Sequence, residues 1–227
     1  MARWQPEKVW DGEDVFVIGG GPSLKDFDWD VLKLENTIGC NDAYLLGEDI
    51  CKICYFSDFK WFSVHKARLA KFSNPTFTNC CQLMKSAVKN LWTMERKAYG
   101  IHKNAIGYNS NSGGAAINLA ILLGAKRIFL LGFDMRLREG ESNWHPNDVS
   151  KPNEEAYLRF IKGFTKLTAD WKRDYSDIEI VNVTDDSNLD LFPKIGVEEF
   201  WSERLSARSA DGKRDNDGDE ESIDNSC

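Results

Sequence analysis

Val15-Phe16-Val17-Ile18-Gly19-Gly20-Gly21-Pro22-Ser23-Leu24 decides the fold. Its first four residues are apolar and run without polar alternation, the pattern of a strand buried on both faces. Three glycines follow at once. Glycines at a strand-to-helix turn let the backbone take positive φ and bring bare N–H groups close to an anion. Ser23 can cap the following helix or hold an anionic oxygen. The same turn is where open α/β sheets bind ligands.

Outward from this turn the pattern repeats. Asp28 to Leu32 reads as a short helix with an acidic start. Thr37-Ile38-Gly39-Cys40-Asn41 reads as a second strand ending in Asn41-Asp42, and Ile53-Cys54-Tyr55-Phe56 as a third, closed by Ser57-Asp58. A helix is expected over 60–71, with His65 on it as a packing or surface residue. Asn41, Asp42 and Asp58 stand at strand carboxyl ends, where they can meet a ligand or simply cap the next element. Asp58 there can bind ribose hydroxyls or a divalent metal. Residues 75–108 are the least legible, with short strands suggested at 75–78 and 91–94.

Asn109-Ser110-Asn111-Ser112-Gly113-Gly114 precedes a helix apolar nearly all round, which must be buried. Ser112 is its expected cap, Gly124 its left-handed stop, and its amino end a second candidate anion site. Ile128-Phe129-Leu130-Leu131 then leads to Gly132-Phe133-Asp134. His145 lies in a polar segment after that strand's carboxyl end, where loops often carry function. A long amphipathic helix over 154–175, a strand over 178–183 and a last helix over 197–205 complete the pattern. Alternating strands and helices with short connections predict one α/β domain over 14–205: a doubly wound, mostly parallel sheet with helices on both faces. Residues 1–13 are a polar lead-in, and 206–227 form an acidic tail expected to be disordered.

Composition narrows the function. The chain has 227 residues and a formal net charge of −7, so charge does not indicate nucleic acid. No apolar run reaches the length of a membrane span and the start does not read as a signal peptide, which predicts a cytoplasmic protein. The six cysteines are then expected as thiols. Cys51 and Cys54 border a strand, where i and i+3 point to opposite faces, which disfavours zinc. Asp215-x-Asp217-x-Asp219 resembles the opening of a calcium loop, but Gly218 is misplaced and no bidentate Glu follows, so calcium is rejected.

Taken together and in order, Ile18-Gly19-Gly20-Gly21-Pro22-Ser23-Leu24-Lys25, Gly39-Cys40-Asn41-Asp42, Asn111-Ser112-Gly113, Leu123-Gly124-Ala125-Lys126-Arg127-Ile128 and Leu131-Gly132-Phe133-Asp134 resemble two related groups. One is the bacterial CMP-sialic-acid-dependent sialyltransferases with a single Rossmann-like domain. The other is the MptE-like group, which includes archaeal hydroxymethyl-dihydropterin pyrophosphokinases. Phage and prophage proteins carry the same motifs, and a phage-encoded chain would act in the cytoplasm of a bacterial host. The resemblance covers roughly residues 14–200. It implies a nucleotide site at Gly20, Gly21, Pro22, Ser23, Asn41, Ser112 and Gly113, with His145 as general base; Gly19, Asp42 and Asp134, on the same turn and strand ends, are added as nucleotide-binding candidates by position. Three departures stand out: Gly20 replaces the family's asparagine, the segment after Asp134 is shorter, and the tyrosines that support the leaving phosphate have no certain counterpart.

The leading expectation is a glycosyltransferase that takes a nucleotide sugar and a hydroxyl-bearing acceptor. His145 would remove the acceptor proton, and Asp58 or Asp134 could carry a magnesium or manganese ion. The alternative is an ATP- and magnesium-dependent diphosphotransferase acting on a hydroxymethyl group, with Asp58, Asp134 and also Asp42 as candidate metal ligands, a lesser part for His145, and no P-loop, since G-x-x-x-x-G-K-[ST] is absent. A non-catalytic nucleotide-binding protein is the third reading.

Overall fold

The computed structural model describes residues 7–83, 89–146, 149, 151–202 and 204. The acidic tail therefore lies outside the described residues. Strands β1 (Asp14–Ile18), β2 (Asn36–Cys40), β3 (Ile53–Phe56), β4 (Thr76–Thr78), β5 (Leu91–Thr93), β8 (Arg127–Leu131) and β9 (Glu179–Asn182) form one sheet in the order β5-β4-β3-β2-β1-β8-β9. Every pairing in it is parallel. Strands β6 (Arg96–Lys97) and β7 (Ile106–Gly107) make a separate parallel pair. The chain winds outward from β1 through β2 to β5, then returns to lay β8 on the other side of β1. The reversal of direction between β1 and β8 opens a crevice at their carboxyl ends, the usual ligand position in such sheets.

The apolar run of β1 is divided between two cores. Val15 and Val17 face one cluster, which receives α2 (Ser112–Leu122) and α3 (Glu154–Asp174). Phe16 and Ile18 face the other, closed by Leu24, Leu32, Phe200 and Trp201. Helix α1 (Phe59–Leu69) buries Trp61, Phe62 and Leu69 against Cys54 and Phe56. Both faces of the sheet are thus covered, which is why its strands lack polar alternation.

Local differences from expectation have simple causes. Residues 29–32 form a single 3₁₀ turn, held by Asp28 Oδ1 accepting from Asp30 N–H at 3.1 Å. Helix α2 starts at Ser112, and its cap is Asn111, whose extended backbone lets Oδ1 accept from Gly114 N–H at 2.6 Å. Gly124 takes the expected left-handed conformation, φ +96°.

Gly163 lets α3 approach the loop before α2. A Cβ there would fall on the Asn109 carbonyl, 2.6 Å from its carbon. Gly163→Ala is therefore expected to lower stability by about 1–3 kcal/mol through overpacking. The gain of about 1 kcal/mol in helix propensity will not offset the clash. A urea-unfolding midpoint at or above that of the unsubstituted protein would contradict this packing.

Candidate functional site

The carboxyl edge of the sheet gathers the residues that the sequence singled out. A cavity of about 300 Å³ is walled by the glycine turn, Asn41 and Asp42 after β2, Asp58 after β3, the start of α2, and Asp134 after β8. Asn41, Ser110 and Met135 on its wall have φ of 52°, 60° and 51°. Left-handed conformations in such residues cost free energy and concentrate at functional sites.

The glycine turn is organised differently from the bare-amide cradle expected. Gly19 N–H donates to the Leu131 carbonyl and Gly21 N–H to the Gly132 carbonyl, both at 2.8 Å. Ser23 N–H donates to Asp134 Oδ1 at 3.0 Å, and the Ser23 hydroxyl to Oδ2 at 2.7 Å. The protein itself fills the space that the glycines open: a Cβ at Gly20 would stand 2.8 Å from Asn143 Oδ1. Trp144 fastens the loop there, donating its backbone N–H to the Gly20 carbonyl and its indole N–H to the Gly19 carbonyl, each at 3.0 Å. The turn's small residues chiefly permit this backbone-to-backbone docking.

The start of α2 is the better anion donor. Asn111 takes the Gly114 amide, so the Ser112 and Gly113 amides, which have no partner within the helix, are on the cavity wall. The Ser112 hydroxyl lies 3.3 Å from Asn41 Oδ1, joining the β2 end to the same spot. The positive end of the helix dipole adds to this donor group.

Asp58 caps α1, its Oδ1 accepting from Lys60 N–H at 2.8 Å and Trp61 N–H at 3.4 Å. Asp134 is only 1% exposed and accepts from Ser23 twice and from Arg138 Nε at 2.9 Å. Burial pushes its carboxyl above the usual range, against the opposing pull of Ser23 and Arg138. Among the described residues no three His, Cys, Asp or Glu side chains converge to hold a metal ion. Asp58 and Asp134 each reach the cavity, and each already accepts from the protein, Asp58 from the start of α1 and Asp134 from Ser23 and Arg138.

Asp42 is buried and faces His145, with Oδ2 3.2 Å from Nδ1. The Pro146 carbonyl lies 2.9 Å from the same nitrogen. Nε2 is directed at the glycine turn, 3.8 Å from where a Gly20 Cβ would stand. Trp61 donates its indole N–H to Asp42 Oδ1, and His65 Nε2 stands 3.4 Å from that oxygen. Burial alone would raise the Asp42 carboxyl. The hydrogen bonds from His145 and Trp61 outweigh it and hold the group below the usual carboxylate range. His65 is a packing histidine, stacked on Trp61 at 4.4 Å.

Ser142, Asn143 and His145 also line a second cavity of about 1320 Å³, bounded by Lys25, Phe27, Arg138 and Trp201. His145 therefore stands in a partition between two spaces. Tyr108, Tyr157 and Arg159 on the first cavity were not expected there. Tyr157 falls on the apolar stripe of α3, and its spacing gives no hint that its hydroxyl reaches the Ser142 carbonyl at 3.3 Å. Burial pushes that phenol up to about 12.

No protein-family model and no curated protein matches the chain. Solved structures do. One is the sialyltransferase CST-II in complex with a trisaccharide acceptor and CMP: TM-score 0.50, 19% identity, covering 81% of this chain and 86% of that one. Another is CstII from Campylobacter jejuni with the substrate analogue cytidine-5'-monophosphate: TM-score 0.50, 17% identity, covering 82% and 86%. The chain shares the fold of these two proteins. The match spans most of both chains, so the likeness is one of overall fold. Among the described residues no helix is long and apolar enough to cross a membrane.

Proposed function

We propose that this chain is a glycosyltransferase that moves a sugar from a cytidine nucleotide donor to a hydroxyl group, with His145 as general base. The observation that carries the reading is the position of His145 between two cavities. The smaller one, with the start of α2 on its wall, suits the nucleotide; the larger suits an extended acceptor. The neighbours solved with CMP and with a trisaccharide acceptor support both assignments.

The chemistry follows from the donors present. The acceptor oxygen attacks the anomeric carbon as its proton passes to His145 Nε2. The bond from that carbon to the phosphate oxygen breaks, and its electron pair leaves with the nucleotide. Charge gathering on the phosphate meets the Ser112 and Gly113 amides, the Ser112 hydroxyl and the α2 dipole. Arg159, exposed at the cavity, supplies a cation there. Gly19, Gly20, Gly21, Pro22 and Ser23 shape the floor and position His145 through the docked loop. Asn41 and Asp58 remain for the nucleoside.

A thermal-shift screen with CMP, UDP, GDP and ATP, each with and without magnesium or manganese, tests the reading. CMP alone should raise the melting temperature without metal, by the equivalent of about 2.7 kcal/mol at 100 times its Kd. A shift confined to ATP with magnesium would reject it in favour of diphosphate transfer.

A further inference from the structure

We infer that Asp42 and Trp61 together form a positioning device that keeps the His145 proton on Nδ1, so that Nε2 is the basic nitrogen offered to the substrate. The inference deepens the base assignment above and rests on His145 facing the cavity. It does not depend on which nucleotide is bound or on transfer being the reaction.

The argument is one of donors and acceptors. Both groups next to His145 Nδ1, Asp42 Oδ2 at 3.2 Å and the Pro146 carbonyl at 2.9 Å, can only accept while Asp42 is ionised. A neutral ring in that setting carries its hydrogen on Nδ1 and leaves the Nε2 lone pair open. Asp42 is only 4% exposed, and its other oxygen takes the Trp61 indole N–H, a group that can only donate. His65 backs the same oxygen, and its Nδ1 lies 3.0 Å from the Tyr44 hydroxyl. Burial holds the Tyr44 phenol up to about 12, so that hydroxyl keeps a proton to give His65. Trp61 is in turn fixed by stacking on His65 and by Phe56 at 5.0 Å. The carboxylate is thereby oriented from behind by one element, α1, and presented to a loop from another part of the chain.

The role of Trp61 gives the inference a consequence that simple packing lacks. In Asp42→Asn the amide oxygen must stay toward the Trp61 N–H, which turns the amide NH2 toward His145 Nδ1. Two donors cannot share that contact, so the ring moves its proton to Nε2 and loses its basic face, the same logic by which an Asp-to-Asn change disables a Ser-His-Asp triad. In the double variant Asp42→Asn/Trp61→Phe the closer of the two donors behind the amide is gone and only His65 Nε2, at 3.4 Å, remains, so the amide can turn and its oxygen again receive Nδ1–H in a share of the molecules.

The test is 15N NMR of the full chain labelled at histidine, above the pH at which the rings protonate. Three histidines are present, and His102→Gln and His65→Gln assign the remaining signals. The unsubstituted protein should show His145 as the Nδ1–H tautomer, Asp42→Asn predominantly as Nε2–H, and the double variant a return toward Nδ1–H. Turnover of a CMP-activated sugar should fall about 100-fold in Asp42→Asn with little change in KM, the scale of general-base loss. His145 as Nε2–H in the unsubstituted protein overturns the inference. So does an unchanged ring in Asp42→Asn, which would assign the tautomer to the Pro146 carbonyl alone. Should Asp42→Asn fail to fold, Asp42→Ser also lacks a carboxylate: lost Nδ1–H preference supports the device, and retained preference overturns it. Correct tautomers with no turnover of any nucleotide sugar would reject the proposed reaction and leave the positioning device standing.

Discussion

His145→Ala is expected to lower turnover of a CMP-activated sugar about 100- to 10,000-fold, the range a positioned general base supplies. CMP binding should survive. The loop around His145 is also anchored by Trp144, whose two N–H groups donate to the Gly19 and Gly20 carbonyls, so that fastening remains when the imidazole and its contact with Asp42 are lost. The start of α2, which the proposed function assigns to the phosphate, has its own support in Asn111. Losing the ring leaves the Asp42 carboxylate short of one donor, at a cost of about 1–3 kcal/mol in stability. Trp61 still serves its other oxygen. The checking measurement pairs steady-state kinetics with the CMP-induced thermal shift. Unchanged turnover would remove His145 from the chemistry, and loss of the shift would make it a binding residue.

How far the sequence revealed this arrangement varied with the physics of each segment. The unalternating runs at 15–18, 53–56 and 128–131 announced strands covered on both faces, and burial on both sides is what they have. Cys40, Cys51 and Cys54 sit fully or almost fully buried among them. Burial pushes the Cys51 thiol up to about 12 and the other two upward as well, which keeps them as unreactive packing groups. Within residues 75–108 the short strands suggested at 75–78 and 91–94 are β4 and β5, whereas β6 and β7, of two residues each, are too short for any period to register. That region is held instead by single side chains. Asn118 Oδ1, on the otherwise apolar α2, accepts from His102 N–H at 3.1 Å and Gly107 N–H at 3.0 Å.

The gathering of the candidate residues was legible in the sequence, their individual partners less so. Strand carboxyl ends flagged Asn41, Asp42, Asp58 and Asp134, and all four reach one cavity. What each does there depends on partners distant in the chain. Local spacing offers Asp42 a turn or a ligand, yet its carboxylate is turned toward His145. The glycines suggested room for an anion, whereas the β8 end and the docked Trp144 loop take up most of their hydrogen bonds. Contacts of this kind arise only when the sheet order brings β1 beside β8.

Asp134 shows how much that closure matters, and Asp134→Ala is expected to be the most destabilising single change at the site. Its carboxylate is the acceptor for the Ser23 amide, the Ser23 hydroxyl and Arg138 Nε. A Cβ at Gly21 would collide with the same carboxylate, so the turn and the side chain are built around each other. Its loss leaves the Ser23 amide and hydroxyl without their acceptor, at about 1–3 kcal/mol each and so about 3–5 kcal/mol together, a large part of the roughly 5–15 kcal/mol that holds a domain together. In a chain of this size the melting temperature should fall by about 6–20 °C. Asp134→Asn keeps one acceptor oxygen and should fall between. The alternative role, direct contact with nucleotide or metal, predicts the reverse ordering: stability nearly unchanged and nucleotide affinity lost. Urea unfolding and CMP titration of the two variants separate these outcomes. The geometry favours the first because the carboxylate's acceptor capacity is already spent on the loop that carries Ser23, and a ligand would have to displace the bonds that keep the crevice open.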